Sequence, residues 1–229
     1  MATAKSVNKR MDLLFGGSFD PVHRGHVDTA RAAQALLGAD TVHWLPTPGS
    51  PLKSASHASA AQRADMLSLQ LAHCRESSWR LSDDELSLPP PVYTIDTLRR
   101  WRAHGGADRP LAFLIGADSL HSLPKWHDWQ QLTDIAHLII ATRPGVTDDW
   151  PDAVKIWLKS RRIGEAKLLQ SRPFGAVLEL NTPARDISST ELRQRIRQHI
   201  PLDNWLATPV RDYIDSHGLY RATETAASS

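Results

Sequence analysis

Short apolar runs alternate with amphipathic stretches along most of the 229-residue chain. Leu13-Leu14-Phe15 predicts a buried strand, and the apolar positions 27, 30, 33 and 37 beyond it have helical spacing. Gly38 marks the expected end of that helix, and Thr41-Val42-His43-Trp44-Leu45 reads as a second strand. Ser59 is placed to cap a helix through Met66, Leu67 and Leu71. Trp79-Arg80-Leu81 then reads as a short strand and Asp83-Asp84-Glu85 as an acidic loop, while Thr94 or Asp96 can cap a helix reaching Trp101. Further strands are expected at 111–115, 137–141 and 176–180, with a helix through Ile156-Trp157-Leu158 between the last two. Ser188 followed three residues later by Glu191 is a capping-box pattern opening a helix to about His199, and a last helix runs from about Pro209 to Ser216. Strands alternating with helices predict an α/β fold: a doubly wound parallel sheet whose ligands lie beyond the carboxyl ends of its strands. We expect one domain over 1–221 and a disordered tail over 222–229.

Composition narrows the chemistry. Apolar residues make up 41% and charged residues 23%, an ordinary globular balance. A net charge of +2 is too mild for a nucleic-acid polymer as partner but suits an anionic small molecule. The single Cys74 excludes an intramolecular disulfide and a cysteine-cluster metal site, and no stretch approaches membrane-spanning length. The default compartment is reducing and cytoplasmic. The oligomeric state stays open, with a homo-oligomer as one option.

The chain contains no P-loop, no dinucleotide fingerprint, no nucleophile elbow and no zinc-protease helix. What it does have is Gly16-Gly17 leaving the first strand, then a turn, then His23 and His26 on one face of the first helical turn. Such a junction presents backbone N–H groups to an anion, although paired glycines alone are ordinary turn residues. Lys53 follows a proline-rich loop and reads either as a solvated cation or as a phosphate contact; Asp118, at a strand end, reads either as a cap or as a ligand contact. Trp126 and Trp129 suit packing or ring stacking. Capping explains Ser188 and Glu191 but not three consecutive hydroxyls, Ser188-Ser189-Thr190, at a helix start suited to phosphate.

Taken together, Gly17-Ser18-Phe19-Asp20-Pro21-Val22-His23-Arg24-Gly25-His26 resembles the signature of the nucleotidylyltransferase superfamily, and Ile187-Ser188-Ser189-Thr190 with Arg193 resembles its second signature. Tyr93-Thr94-Ile95-Asp96-Thr97, Ile115-Gly116-Ala117-Asp118-Ser119-Leu120 with Trp126, and His217-Gly218-Leu219-Tyr220-Arg221 narrow the resemblance to the bacterial nicotinate-nucleotide adenylyltransferase family. It spans roughly Leu13 to Arg221.

The resemblance implies a Rossmann-like fold of nucleotidylyltransferase type and the joining of nicotinate mononucleotide to the AMP part of ATP, with Mg²⁺ bridging the ATP phosphates. By the same resemblance His23 and His26 are catalytic, meeting the ATP phosphates. Gly16, Gly17, Ser18, Phe19, Lys53, Asp118, Ser188, Ser189, Thr190 and Arg193 are expected to bind ATP. Thr94, Trp126 and Arg143 are expected to bind the nicotinate nucleotide. Two positions depart from the pattern: the loop reads Pro51-Leu52-Lys53 where Pro-His-Lys is common, and His127 stands where an aromatic often follows the tryptophan. Pantetheine-phosphate adenylyltransferases and cytidylyltransferases are the nearest alternatives, and the segments around Thr94 and Trp126 speak against them. A catalytically silent nucleotide-binding regulator is a third, disfavoured by His23, His26 and the hydroxyl run.

Overall fold

A computed structural model describes residues 10–49, 56–142, 149–182, 188–202 and 204–221. Along the chain run β1 (Asp12–Gly17), α1 (Arg24–Leu37), β2 (Thr41–Pro46), α2 (Ala60–Cys74), β3 (Trp79–Leu81) and α3 (Thr94–Gly105). They are followed by β4 (Leu111–Gly116), β5 (His137–Thr142), α4 (Asp152–Lys159), β6 (Val177–Asn181), α5 (Ser189–Arg197) and α6 (Thr208–Ser216). The strands form one sheet in the order β3-β2-β1-β4-β5-β6, parallel throughout. This is the doubly wound parallel sheet expected from the alternation of elements, in the Rossmann-like form that the resemblance implies.

The strands are apolar on both faces because helices cover both. Leu13 and Phe15 of β1 join a core with Val27, Ala30 and Ala33 of α1 and Met66 and Leu67 of α2. Leu14, one residue out of phase, joins the opposite core with Ile95 and Leu98 of α3 and Val154 of α4. β5 divides in the same way, Ile139 to the first core and Leu138 and Ile140 to the second.

Element ends follow local chemistry. Gly38 closes α1 with φ +60°, a left-handed conformation that costs glycine little. Ser59 and Gln62 cap α2 reciprocally, Ser59 Oγ accepting from the Gln62 N–H at 3.2 Å and Gln62 Oε1 from the Ser59 N–H at 2.9 Å. Two expected caps differ. α3 starts from Tyr93, and neither Thr94 nor Asp96 caps it; Asp96 instead pairs with Arg99 at 3.0 Å. Ser188 does cap α5, accepting from the Glu191 N–H at 3.1 Å, but the Glu191 carboxylate turns to Arg195 at 3.1 Å.

The ladder between β1 and β4 ends at the Phe15–Leu114 pair, although β1 runs on to Gly17 and β4 to Gly116. Strand order reverses here, and the two carboxyl ends part. That opening is the crevice in which doubly wound sheets bind ligands.

Candidate active site

Two cavities fill the crevice. The larger, of about 480 Å³, is lined by Gly16, Gly17, Ser18, Phe19, His23, His26, Asp118, Ser188, Ser189, Thr190 and Arg193, which the sequence assigns to one site. The smaller, of about 280 Å³, holds Thr94 and Trp126. They share Gly16, Gly17, Ser18, Gly116, Asp118 and Ser119, so the parted ends of β1 and β4 form a common wall. Lys53 and Arg143 lie outside the described residues.

The glycines of that wall stand in tight surroundings. A Cβ on Gly16 would come within 3.1 Å of the Phe113 ring, and one on Gly17 within 3.0 Å of the Phe19 ring. A Cβ on Gly116 would collide with the Asp118 carboxylate, which folds back over the end of β4. Asp118 itself stands in a short 3₁₀ turn, Ala117–His121, started by Gly116, where its side chain faces both cavities rather than capping the turn.

His23 is the buried N-cap of α1, and the ring of His26 stacks on it with centroids 3.8 Å apart. The His23 backbone N–H donates to His26 Nδ1 at 3.2 Å. A neutral His26 ring that accepts at Nδ1 carries its proton on Nε2, as a donor. Phe19 packs edge-on against the same ring at 5.1 Å. The spacing of the two histidines therefore produces a locked pair rather than two independent side chains.

Opposite them is the start of α5. Its three hydroxyls each have a protein partner: Ser188 caps the helix, Ser189 donates to the Pro21 carbonyl at 3.1 Å, and Thr190 accepts from Arg193 at 3.2 Å. Arg193 also donates to the Asp20 carbonyl at 2.7 Å. Ser189 and Arg193 thus dock α5 onto the Asp20–Pro21 turn. What α5 offers an anion is its first backbone N–H groups, which lack carbonyls one turn back.

In the smaller cavity Thr94 is the first residue of α3, so the amino end of a 12-residue helix faces the ligand space. Both tryptophans pack against the second core, Trp126 also lining this cavity and Trp129 meeting Trp157 with centroids 5.2 Å apart. His127 pairs with the Tyr93 ring at 4.6 Å. In the acidic loop Asp83 and Asp84 are exposed, and Glu85 alone of the three turns inward. Glu85 is buried, its carboxylate accepts from the Thr97 hydroxyl at 2.6 Å, and it lines the cavity wall. Burial pushes this carboxyl above its usual range, against the pull of Thr97 and Arg100.

The cytidylyltransferase-like family model matches residues 14–195. A Serratia proteamaculans protein named a probable nicotinate-nucleotide adenylyltransferase is 41% identical over 210 residues, covering 91% of this chain and 94% of that protein. The chain belongs to the nicotinate-nucleotide adenylyltransferase family. A Yersinia enterocolitica protein of the same name is 39% identical and covers 95% of this chain and 98% of its own length. The Plasmodium falciparum nicotinic acid mononucleotide adenylyltransferase complexed with NaAD has the same fold, with a TM-score of 0.69 at 19% identity over 92% of this chain and 97% of that one.

Several residues that shape this adenylyltransferase site escape sequence reading. Arg63, fully buried on α2, donates to the Ser18 carbonyl at 2.6 Å and to those of Thr47 and Pro48 at 2.7 and 3.0 Å. Burial lowers its pKa, opposed by nearby Asp20. Arg63 ties the glycine turn to the loop after β2, yet in the sequence it is one arginine among many. His57 lines the larger cavity with its ring 3.5 Å from the Asp20 carboxylate, so a histidine does reach this wall despite Leu52. Among the described residues no helix is long and apolar enough to cross a membrane.

Proposed function

We infer that this chain joins nicotinate mononucleotide to the AMP part of ATP, giving nicotinate adenine dinucleotide and pyrophosphate, a step of NAD biosynthesis. The observation that carries the reading is the pair of cavities meeting at the parted ends of β1 and β4. ATP fits the larger, between the histidine pair and α5. The mononucleotide fits the smaller, its pyridine ring beside Trp126 and its carboxylate at the amino end of α3 near Thr94. The mononucleotide phosphate and the α-phosphate then meet at the shared wall.

In the reaction, an oxygen of the mononucleotide phosphate forms a bond to the α-phosphorus while the bond to the bridging oxygen of pyrophosphate breaks. The attacking group comes from the substrate, so the protein supplies no covalent nucleophile. It aligns two anions and stabilises the charge that builds on the leaving group. His26, the start of α5 and the Arg193 guanidinium line the larger cavity on the sides where that charge would be met. Mg²⁺ would come in with ATP as part of the substrate and would supply positive charge against its phosphates. Among the described residues no group of three or more His, Cys, Asp or Glu side chains is arranged to cage it.

Steady pyrophosphate release with Mg·ATP and nicotinate mononucleotide together, and none with either alone, is the expected result. Absence of turnover with both substrates, or equal turnover with CTP, would overturn the assignment. The same assay with nicotinamide mononucleotide measures selectivity, and we expect kcat/KM to favour the carboxylate because a helix amino terminus favours an anion over a neutral amide.

A further inference from the structure

Asp20 is an acidic side chain in the wall of a cavity built for anions, and it is only 4% exposed. Left free, a carboxylate there would repel a triphosphate. Its hydrogen bonds among the described residues draw it elsewhere: Oδ2 accepts from the His57 N–H at 2.8 Å, and Oδ1 from the Ala58 N–H at 3.2 Å and from the Tyr220 hydroxyl at 2.7 Å. The His57 ring lies 3.5 Å away. Tyr220 is buried and lies two hundred positions from its partner.

We propose that Tyr220 is a positioning residue for ATP: its hydroxyl occupies Asp20 and holds that carboxylate on the His57–Ala58 backbone. Asp20 lies between two rims of the larger cavity, one carrying His23 and His26 and the other Ser56 and His57. By fixing the carboxylate, the hydroxyl sets one rim against the other and keeps a negative charge from facing the phosphates. Burial and the anionic acceptor push the phenol above its ordinary range, so it stays a donor throughout the neutral region. The remaining partner of Oδ1, the Ala58 N–H, is its longest, so the hydroxyl is the contact whose loss the carboxylate feels most.

The inference rests on ATP occupying the larger cavity. Calorimetric titration of Mg·ATP into wild type, Tyr220→Phe, Asp20→Asn and the double variant tests it. Tyr220→Phe removes only the hydroxyl and should weaken ATP binding about tenfold, the range for a hydrogen bond to a charged group. In the Asp20→Asn background, where no charge remains to be held, the same change should cost less than twofold. A purely structural tyrosine would cost the same in both backgrounds, or nothing in either, and both results overturn the proposal. Should Tyr220→Phe be too unstable to titrate, the double variant compared with Asp20→Asn decides, since a loss of fivefold or more there contradicts the mechanism. Wild type that binds Mg·ATP yet releases no pyrophosphate with nicotinate mononucleotide defeats the functional reading alone. Wild type that takes up no ATP defeats both.

Discussion

His26 illustrates how far one position can be read. Its place three residues after His23 puts both rings on one helical face, which the spacing alone establishes. Its protonation pattern comes from the structure, because only there does the His23 N–H meet Nδ1. That bond makes the ring a directional donor through Nε2, held by its stack on His23 and by the edge of Phe19. Preorganised donors of this kind act on the transition state, so His26→Ala should lower kcat by ~10²-fold or more. KM for ATP should change much less. The assay is pyrophosphate release by the purified variant, and turnover within threefold of wild type would remove His26 from the mechanism. Arg63 shows the opposite case. No spacing marks it, because its three acceptors are backbone carbonyls on two separate loops, brought to α2 only by the fold.

At the scale of elements, α5 performs two tasks that its sequence does not separate. Ser188 satisfies a helix N–H, while the helix as a whole presents its amino end to the larger cavity. Substitutions that keep the cap but change the charge separate them. Asn and Asp are both good N-caps, so Ser188→Asn and Ser188→Asp should each hold Tm within a few degrees of wild type. Only the aspartate places a negative charge beside the phosphates, and it should raise the ATP KM tenfold or more relative to the asparagine variant. Equal KM values would mean that α5 does not face the triphosphate. The start of this element was legible beforehand in its capping serine, whereas the glutamate three residues on turns to Arg195 instead of closing the box. The docking role of Ser189 was not, since its acceptor is the Pro21 carbonyl 168 positions away.

At the scale of the molecule, the doubly wound fold was legible because strand and helix periods alternate cleanly and both sheet faces need cover. Side-chain environments inside that fold were not. His137 opens β5 and is fully buried, with Nδ1 accepting from the Ala176 N–H at 3.2 Å and Nε2 therefore donating to the Arg172 carbonyl at 3.0 Å. Both ring nitrogens are committed in the neutral form, and a proton added at Nδ1 would face another N–H. Burial accordingly lowers the pKa of this histidine from its ordinary 6.5, opposed by backbone hydrogen bonds to Arg172 and Leu169 and aided by the charges of Arg172 and Arg102. The unfolded chain then binds the proton more readily than the folded one, so stability from this group is complete above pH 6.5 and is lost as pH falls through the lowered folded value. Glu85, raised above its ordinary 4.5, works in the other sense, its contribution being complete below pH 4.5 and lost as pH rises through the folded value. Urea unfolding of wild type should lose at most ~1.4 kcal/mol per pH unit to His137 below pH 6.5. His137→Gln, whatever its absolute cost, should lack that component, so the wild-type and variant stabilities should converge as pH falls from 7.5 to 5.5. Parallel curves over that range would show that the buried ring is not what couples this fold to protons.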